Sequence, residues 1–271
     1  MNLNDVVIKC FRISERTVVS VTNALNSTNQ GLWLGLLNRD QLSRISELQY
    51  ADWKRYQQRE WNIFGLYHWE EQVIDKYFSG CESLLIGAVG GGREVYALMN
   101  RGMDIDAFEC NPNLIKYCRE LLSGEEFKGK IVQSMPDEVP ESLGLYSGMI
   151  LGWGAYIHIH GQLNRIRFLN QCRAHLVSDG NLLLSFLTRE GATRSLRWTY
   201  TIARLIRKIR KSTEEVELGD RLDGTLDHYF TKDEIQTELE AAGFDMVYYS
   251  SMPYGHAVGR VESSKGGLAG T

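Results

Sequence analysis

The chain has 271 residues, a formal net charge of −4, and 43% hydrophobic and 24% charged residues. This length is enough for one α/β domain and an accessory segment, and the composition is typical of a folded globular protein rather than a disordered one. The weakly acidic balance excludes a general affinity for nucleic acid, so we expect no nucleic-acid partner.

The cysteines and the apolar segments predict in which cellular compartment the protein resides. The five cysteines form no CxxC motif and no cluster with histidine, which is typical of a reducing environment and predicts neither a disulfide framework nor a bound metal. The opening segment MNLNDVVIKCFRISER places acidic and polar residues where a signal peptide needs an apolar core. No apolar run approaches the roughly 18 residues of a membrane helix. The sequence therefore predicts a cytoplasmic protein without a transmembrane segment.

Helical periodicity dominates the first part of the chain. Apolar residues such as Trp53, Tyr56, Trp61 and Val73 recur at helical spacing, and no strand pattern accompanies them. We therefore predict an N-terminal helical cap over residues 1–80.

From about residue 82 onward, short apolar runs alternate with amphipathic stretches, the pattern of strands and helices wound into a parallel sheet. The predicted elements are five strands over 83–88, 104–109, 130–133, 147–152 and 181–187, and three helices over 93–101, 112–122 and 162–176.

A second group of elements ends the chain. A helix begins at the capping box formed by Thr231 and Glu234, and the apolar runs 244–251 and 255–261 predict a hairpin of strands. The predicted fold class is α/β, with a Rossmann-like, doubly wound, mainly parallel seven-stranded sheet that includes a C-terminal antiparallel hairpin strand. The core spans 81–262, and the glycine-rich tail 263–271 is predicted to be disordered.

The first predicted strand runs directly into a glycine-rich turn and then a helix, in the sequence LLIGAVGGGRE. Glycines allow a tight turn and close approach of a ligand to the backbone, and the amides at the following helix start favour negative charge. The second strand ends in Glu109, at the place where a carboxylate typically accepts both hydrogen bonds of a ribose diol. Turn and acid together indicate a ligand that contains adenosine.

Four segments, IGAVGGGRE, DAFECNP, MILGWGAY and HYFTKDEIQTELEAAGF, resemble in order and spacing the class I S-adenosylmethionine-dependent methyltransferases, over about residues 60–262. The resemblance implies an enzyme that uses S-adenosyl-L-methionine as its methyl donor. It implies donor contacts from the glycine turn, from the ends of the second and third strands and from the loop after the fourth. The residues implied are Gly87, Ala88, Gly90, Gly92, Glu109, Cys110, Gln133, Ser134, Met135, Gly152 and Trp153.

The sequence departs from the family pattern on the first strand, where Leu85 or Ile86 replaces the acidic residue often found ahead of the glycines. The carbonyls of Gly87 and Gly152 are then the candidate acceptors for the donor's ammonium group. Two rival functions stay open, namely an NAD(P)-dependent oxidoreductase with the same nucleotide site and a catalytically inactive nucleotide-binding module. The terminal run GHAVGRV favours methyl transfer, because a nicotinamide-binding domain would lack it.

Methyl transfer from a sulfonium is an in-line displacement, and a general base helps where the acceptor is a hydroxyl. The candidate bases are His158 and His160, in the loop after the fourth strand, and His228. Trp153 is a candidate for a cation–π contact with the sulfonium or, alternatively, for a core aromatic. The family motif Asn/Asp-Pro-Pro-aromatic is absent after the fourth strand, which favours oxygen over the amino groups of nucleobases or glutamine as acceptor. The predicted acceptor is a small molecule or a glycan- or lipid-linked compound.

The insert 189–222 contains a basic amphipathic helix over about 193–211 and is predicted to be a helical lid over the acceptor pocket. Its basic side chains suit an anionic lipid headgroup, a phosphorylated or sugar-nucleotide acceptor, or the nearby acidic stretch 214–217. The alternative is a solvated helix whose apolar face covers the active site. Peripheral membrane contact through this helix stays open, and the oligomeric state is not predicted.

Overall fold

The computed structural model describes residues 3–262, so the predicted disordered tail 263–271 lies outside the described residues. The described chain begins with helices, followed at Ser83 by strands that alternate with helices. The N-terminal elements are helix α1 (Leu3–Leu36), helix α2 (Arg39–Asp52), a 3₁₀ turn (Lys54–Gln57), and helices α3 (Arg59–Asn62) and α4 (His68–Tyr77). Asn38 caps α2 by accepting from the amide of Gln41, whose side chain accepts from the Asn38 amide in return.

The parallel part of the sheet contains the five predicted strands, in the order β3-β2-β1-β4-β5. The last strand begins at Leu176, where the sequence pattern predicted the end of a helix, so β5 is 13 residues long. The elements are β1 (Ser83–Gly87), α5 (Arg93–Met99), β2 (Asp104–Glu109), α6 (Pro112–Leu122), β3 (Ile131–Gln133), β4 (Tyr146–Leu151), a 3₁₀ turn (Ala155–His158), α7 (Gln162–Ala174) and β5 (Leu176–Thr188).

The C-terminal elements complete the sheet as predicted. Thr231 caps the helix that follows it through a capping box with Glu234. The hairpin inserts its second strand antiparallel between β5 and its own first strand, with Leu183 opposite Val258. The elements named in order are α8 (Arg194–Ile209), β6 (Asp220–Asp223), β7 (Thr225–Phe230), α9 (Lys232–Ala241), β8 (Phe244–Ser250) and β9 (Gly255–Val261).

The hairpin of β6 and β7 is the part of the sheet that the sequence analysis missed. It turns at Gly224, which has a positive φ of 82°, and β7 pairs in parallel with the last residues of β5. The alternation of Leu226, His228 and Phe230, all buried, is the period-2 signal that would have predicted it. The described sheet therefore has nine strands instead of seven.

Both faces of the sheet are covered by helices. Leu84 and Ile86 of β1 pack into one apolar cluster, whereas Leu85, which points to the opposite face, packs into another. All three side chains are fully buried. A sheet buried on both faces leaves its carboxyl edge as the place where a ligand enters.

Helix α8 packs closely along α1 at two glycines of α1, Gly31 and Gly35. A Cβ at Gly31 would lie 2.6 Å from the carbonyl oxygen of Thr199, and one at Gly35 would lie 2.6 Å from Cβ of Ile206. The two backbones therefore approach each other more closely than larger residues would allow. Within residues 3–262, none of these helices combines the length and apolar character required to cross a membrane.

Candidate active site

A cavity of about 550 Å³ opens at the carboxyl edge of β1, β2 and β4. Its floor comes from the glycine turn after β1 and from the end of β2. One face of α2 forms the opposite wall, and the loop after β4 forms a third side. The cavity thus lies where open α/β sheets bind ligands, and the N-terminal helices cover it.

The glycine turn brings backbone close to the cavity. Ala88 and Gly90 both have positive φ, 51° and 57°, and both line the cavity. The Gly90 amide donates to Oε2 of Glu109 at 3.0 Å. A Cβ at Gly90 would lie 3.2 Å from Cε1 of Tyr56, so there is little room for a side chain. The turn is therefore a cradle in which backbone, rather than side chains, faces the ligand.

Glu109 lies at the junction of turn and cavity. Its side chain is only 4% exposed, and its Oε1 accepts from the Asn111 amide at 2.9 Å. Burial raises the pKa of this carboxyl, and hydrogen bonds from Asn111 and Gly90 oppose the rise. Oε1 also accepts from the Cys110 thiol at 3.5 Å, whereas Oε2 accepts from the Gly90 amide and, as a carboxylate oxygen, can accept a further hydrogen bond. This arrangement suits a pair of neighbouring hydroxyl groups.

Most residues predicted for donor binding lie in the cavity wall. These are Ala88, Gly90, Glu109, Cys110, Gln133, Ser134, Met135 and Trp153.

Gly87, Gly92 and Gly152 do not lie in that wall. The Gly87 carbonyl accepts from the Gly152 amide at 2.8 Å, and a Cβ at Gly152 would lie 2.3 Å from the carbonyl oxygen of Ala88. A Cβ at Gly92 would lie 2.9 Å from Sγ of Cys118 on α6. These three glycines let the strand ends and α6 approach the turn, and the Gly87 carbonyl is already engaged by Gly152.

A buried ion-pair network supports the turn from behind. Arg93 makes a bidentate pair with Glu70 of α4, at 2.7 Å for each bond, and a further bond of 2.6 Å to Glu94. Glu94 also accepts from the Trp153 amide at 3.3 Å. The network links α4, the start of α5 and the loop after β4, so it fixes three elements that meet at the cavity.

Trp153 lies among aromatic rings at the mouth of the cavity. Its ring centroid is 5.8 Å from that of Tyr67 and 4.9 Å from that of Tyr254. The side chain is about one-third exposed, so it is not a core wedge. Tyr50 and Tyr56 from the N-terminal part also line the cavity, which gives the mouth several apolar faces with polar tips.

His158 has the geometry of an oriented base. Its Nδ1 lies 3.0 Å from the Leu226 carbonyl oxygen and 3.2 Å from Oδ1 of Asp227. Because a carbonyl only accepts, Nδ1 carries a proton, and neutral His158 then has its lone pair on Nε2. Nε2 lies 2.5 Å from the Tyr50 hydroxyl. Burial raises the pKa of Tyr50, so that hydroxyl stays protonated and donates to His158.

The other two predicted bases have different surroundings. His160 lines the cavity, is buried, and has an unpartnered Nε2. Burial lowers the pKa of His160, so the ring is neutral near pH 7. His228 lies outside the cavity wall, with its Nδ1 2.7 Å from Oδ1 of Asp220. The structure thus brings His158 and His160 together at the cavity and gives His228 a buried structural contact.

Glu217, Asp220 and His228 have side-chain atoms close enough to hold a metal ion. Arg165, however, donates to Glu217 at 2.8 Å, and Nδ1 of His228 already pairs with Asp220. Burial alone would raise the pKa of Asp220, but the hydrogen bond and charge of His228 lower it overall. Nε2 of His228 is buried without a partner, but the other ligand atoms are held by neighbouring donors and acceptors, so the cluster is a largely paired network.

Two groups of site residues were not predicted from the sequence. Asp227 went unnoticed because the hairpin that carries it was not predicted. The cavity-facing residues of α2 follow helical spacing but are mostly polar, so an apolar periodicity search does not find them. These residues are Arg39, Leu42, Ser43, Ser46, Glu47 and Tyr50.

The insert 189–222 was predicted to cover the acceptor pocket. Of the described residues that line the cavity, none belongs to this segment. Arg207 instead donates to the carbonyl oxygen of Leu34 at 3.0 Å and pairs with Glu214 at 3.1 Å. Arg210 donates to the carbonyls of Gly35 and Leu36. These arginines attach α8 to α1, and the cover of the cavity comes from α2.

Solved structures identify the fold. The CcbJ methyltransferase of Streptomyces caelestis matches with a TM-score of 0.58 and 16% identity, over 80% of this chain and 99% of that one. A SAM-dependent methyltransferase of Methanosarcina mazei matches with a TM-score of 0.56 and 14% identity, over 74% of this chain and 100% of that one. CalS10, a SAM-bound amino pentose methyltransferase of Micromonospora echinaspora, matches with a TM-score of 0.52 and 14% identity, over 73% of this chain and 93% of that one. No protein-family model matches the chain, and no curated protein matches it.

The strand order, the antiparallel β9 and these likenesses agree. The chain has the fold of the class I S-adenosylmethionine-dependent methyltransferases. The fold prediction made from the four sequence segments is therefore confirmed.

Proposed function

We propose that this protein is an S-adenosylmethionine-dependent methyltransferase that methylates a hydroxyl group of a small-molecule or glycan-type acceptor. The proposal rests on the set of residues that one cavity brings together. It holds the Glu109 carboxylate beside a glycine cradle and, on another wall, His158 oriented by Asp227.

The residues present fit the donor. The Gly90 backbone leaves almost no room for a Cβ, and the buried Glu109 carboxylate adjoins it. Glu109 would accept from the ribose hydroxyls, and Gln133, Ser134 and Met135 would border the adenine, all within the same wall. S-adenosylmethionine, when bound, supplies an electrophilic methyl group on a sulfonium.

The chain's own residues provide orientation and a proton acceptor. Asp227 and the Leu226 carbonyl hold the Nδ1 proton of His158, which leaves Nε2 as the basic atom. Tyr50 occupies that atom in this structure, and an acceptor hydroxyl in its place would lose its proton to Nε2. The rings of Tyr50, Tyr56 and Trp153 in the cavity wall would shield these polar contacts from water and so strengthen them.

The cavity wall supports a polar acceptor. The α2 wall offers Ser43, Ser46 and Glu47, a set of hydrogen-bonding groups beside Leu42. CalS10 is an amino pentose methyltransferase and KedS8 a sugar N-methyltransferase, so the fold accommodates sugar acceptors in these proteins. The oriented His158 favours oxygen here, because a hydroxyl gains more from a general base than a neutral amine does.

Labelled donor tests the function. The protein is incubated with S-adenosylmethionine labelled in its methyl group and with a panel of sugars, glycosides and amino sugars, and each labelled product is analysed for the methylated atom. The proposal expects label on an oxygen. Label on nitrogen would refute the acceptor atom but not the methyl transfer, whereas donor binding without label in any acceptor would favour a binding module.

A further inference from the structure

The N-terminal two-thirds of α1 is a long helical segment whose side chains are exposed. Every described side chain from Asn4 to Asn26 is exposed, except the half-buried Val6, and the first fully buried residue is Ser27. At 1.5 Å per residue this segment extends about 35 Å beyond the part of α1 that packs on α8. Most of the stability of a helix in a protein comes from packing of its amphipathic face on a partner surface, and the exposed apolar side chains of this segment have no such packing in the described structure.

One face of this helix is apolar. Residues at alternating spacings of three, four and seven form a stripe along it, called here the α1 stripe. Phe11 and Leu25 on it are 64% and 65% exposed. Lys9, Arg12 and Arg16 occupy the opposite side of the helix. The α1 stripe comprises Val7, Phe11, Val18, Val21, Leu25 and Leu32, all exposed.

Helix α8 continues the same surface. Its exposed apolar residues, Trp198, Leu205 and Ile209, are spaced seven and four residues apart and form the α8 stripe. The Trp198 indole donates to Oγ1 of Thr28, at 3.0 Å. Thr28 lies on α1 between Leu25 and Leu32, so the two stripes adjoin each other.

The charged residues of the segment that carries the α8 stripe are all basic. The segment 194–211 contains seven lysines and arginines and no acidic residue, in a chain whose net charge is −4. Arg194, Arg197, Arg204 and Lys208 are exposed on α8. Arg207, in contrast, is buried against α1, so it does not belong to this charged surface.

We propose that the two stripes dock the protein on an anionic lipid surface. An exposed apolar face with tryptophan and a basic border is the pattern of helices that lie in the membrane interface. Charge complementarity selects this occupant, because anionic headgroups neutralise the basic border of α8 whereas a second copy docked on this face would bring two such borders together. The helices lie along the surface and do not cross it.

Vesicle co-sedimentation with the full chain tests the proposal. Vesicles of phosphatidylglycerol and phosphatidylcholine in equal parts are compared with pure phosphatidylcholine, and the protein should sediment with the first and not with the second. Arg197→Gln, Arg204→Gln and Lys208→Gln combined should weaken binding by about a hundredfold, because each cation near an anionic surface contributes to the affinity. Val18→Asp and Leu25→Asp combined should weaken it at least about tenfold, because both side chains leave the apolar contact.

Matched variants control for charge and for fold. Lys116→Gln, Lys128→Gln and Lys130→Gln combined remove three exposed cations elsewhere, and Leu145→Asp adds an acid at an exposed leucine just before β4. Both controls should bind vesicles as the natural chain does. Circular dichroism melting must show that all variants are folded.

Three results would overturn the proposal. One is absence of sedimentation with anionic vesicles. Another is unchanged binding by either stripe variant. The third is concentration-dependent dimerisation in light scattering that Val18→Asp and Leu25→Asp abolish while vesicle binding persists, which would assign the α1 stripe to a second copy.

Discussion

At the scale of single residues, Glu109 is the side chain that we propose contributes most to donor binding. Glu109→Ala removes charge-assisted hydrogen bonds and should weaken S-adenosylhomocysteine binding by about ten to a hundredfold without unfolding the protein. Titration calorimetry measures this change. Asp104→Ala, at the exposed start of the same strand, is the matched control and should bind normally. Unchanged affinity in Glu109→Ala would remove this carboxylate from the site.

The raised pKa of Glu109 adds a pH dependence to the same site. Burial favours the protonated acid, so on acidification Glu109 loses its charge at a higher pH than an exposed glutamate would. Donor affinity should therefore fall as the pH drops through that raised pKa, and it should be constant above it. Glu109→Gln should bind weakly with no such dependence, and a parallel decline in both proteins would assign the titration to another group.

Gly90 tests whether the glycine turn serves a ligand or only the fold. Gly90→Ala places a methyl group 3.2 Å from the Tyr56 ring at a positive φ, so donor binding should fall by at least about tenfold. Gly102 also has a positive φ, 80°, but nothing lies within 4 Å of an added Cβ. Gly102→Ala therefore carries the backbone strain without the cavity contact. Equal donor affinity in the two variants would show that the turn is structural.

His158 and Asp227 should affect turnover more than donor binding. His158→Gln removes the base and should lower kcat by about a hundredfold or more, with the donor Kd unchanged. Asp227→Asn keeps the shape but weakens the hold on Nδ1, so it should lower kcat less than His158→Gln does. Initial rates measured at saturating donor across pH 5 to 9 give kcat for each variant and for the natural chain. A His158→Gln enzyme with full kcat would mean that no base is needed.

At the scale of elements, the contact between α1 and α8 depends on two glycines. Gly35→Val would place a side chain against Ile206 and should destabilise the protein by about 1–3 kcal/mol, since overpacking forces backbone shifts. Thermal denaturation checks it. Gly144→Val, where nothing lies within 4 Å of an added Cβ, should change stability much less. If Gly35→Val melts at the natural temperature, the close approach of the helices is not required.

The elements also show what the sequence could predict. Strands β1, β2 and β4 have strong apolar runs and were predicted almost residue by residue, and the Thr231 cap fixed the start of α9. The hairpin of β6 and β7 was not predicted because it is short and rich in charge, with Asp220, Asp223 and Asp227 among its eleven residues. Such a hairpin is stabilised by its pairing with β5, a long-range contact that local patterns do not contain.

At the scale of the whole molecule, the importance of long-range contacts also explains which site residues could be predicted from the sequence and which could not. The proposed donor-binding residues follow the chain locally from the glycine turn to Met135, so they could be predicted from order and spacing. The proposed acceptor wall joins α2, the loop after β4 and β7, which lie far apart in sequence. The contact between Tyr50 and His158, 108 positions apart, could be recognised only in the folded chain.

We propose that the cavity binds the methyl donor and not a nicotinamide dinucleotide. Titration calorimetry of the same preparation with S-adenosylhomocysteine and with NADH tests it most directly. We predict saturable binding of S-adenosylhomocysteine, weakened in Glu109→Ala, and no binding of NADH. Tight binding of NADH with none of S-adenosylhomocysteine would contradict the account.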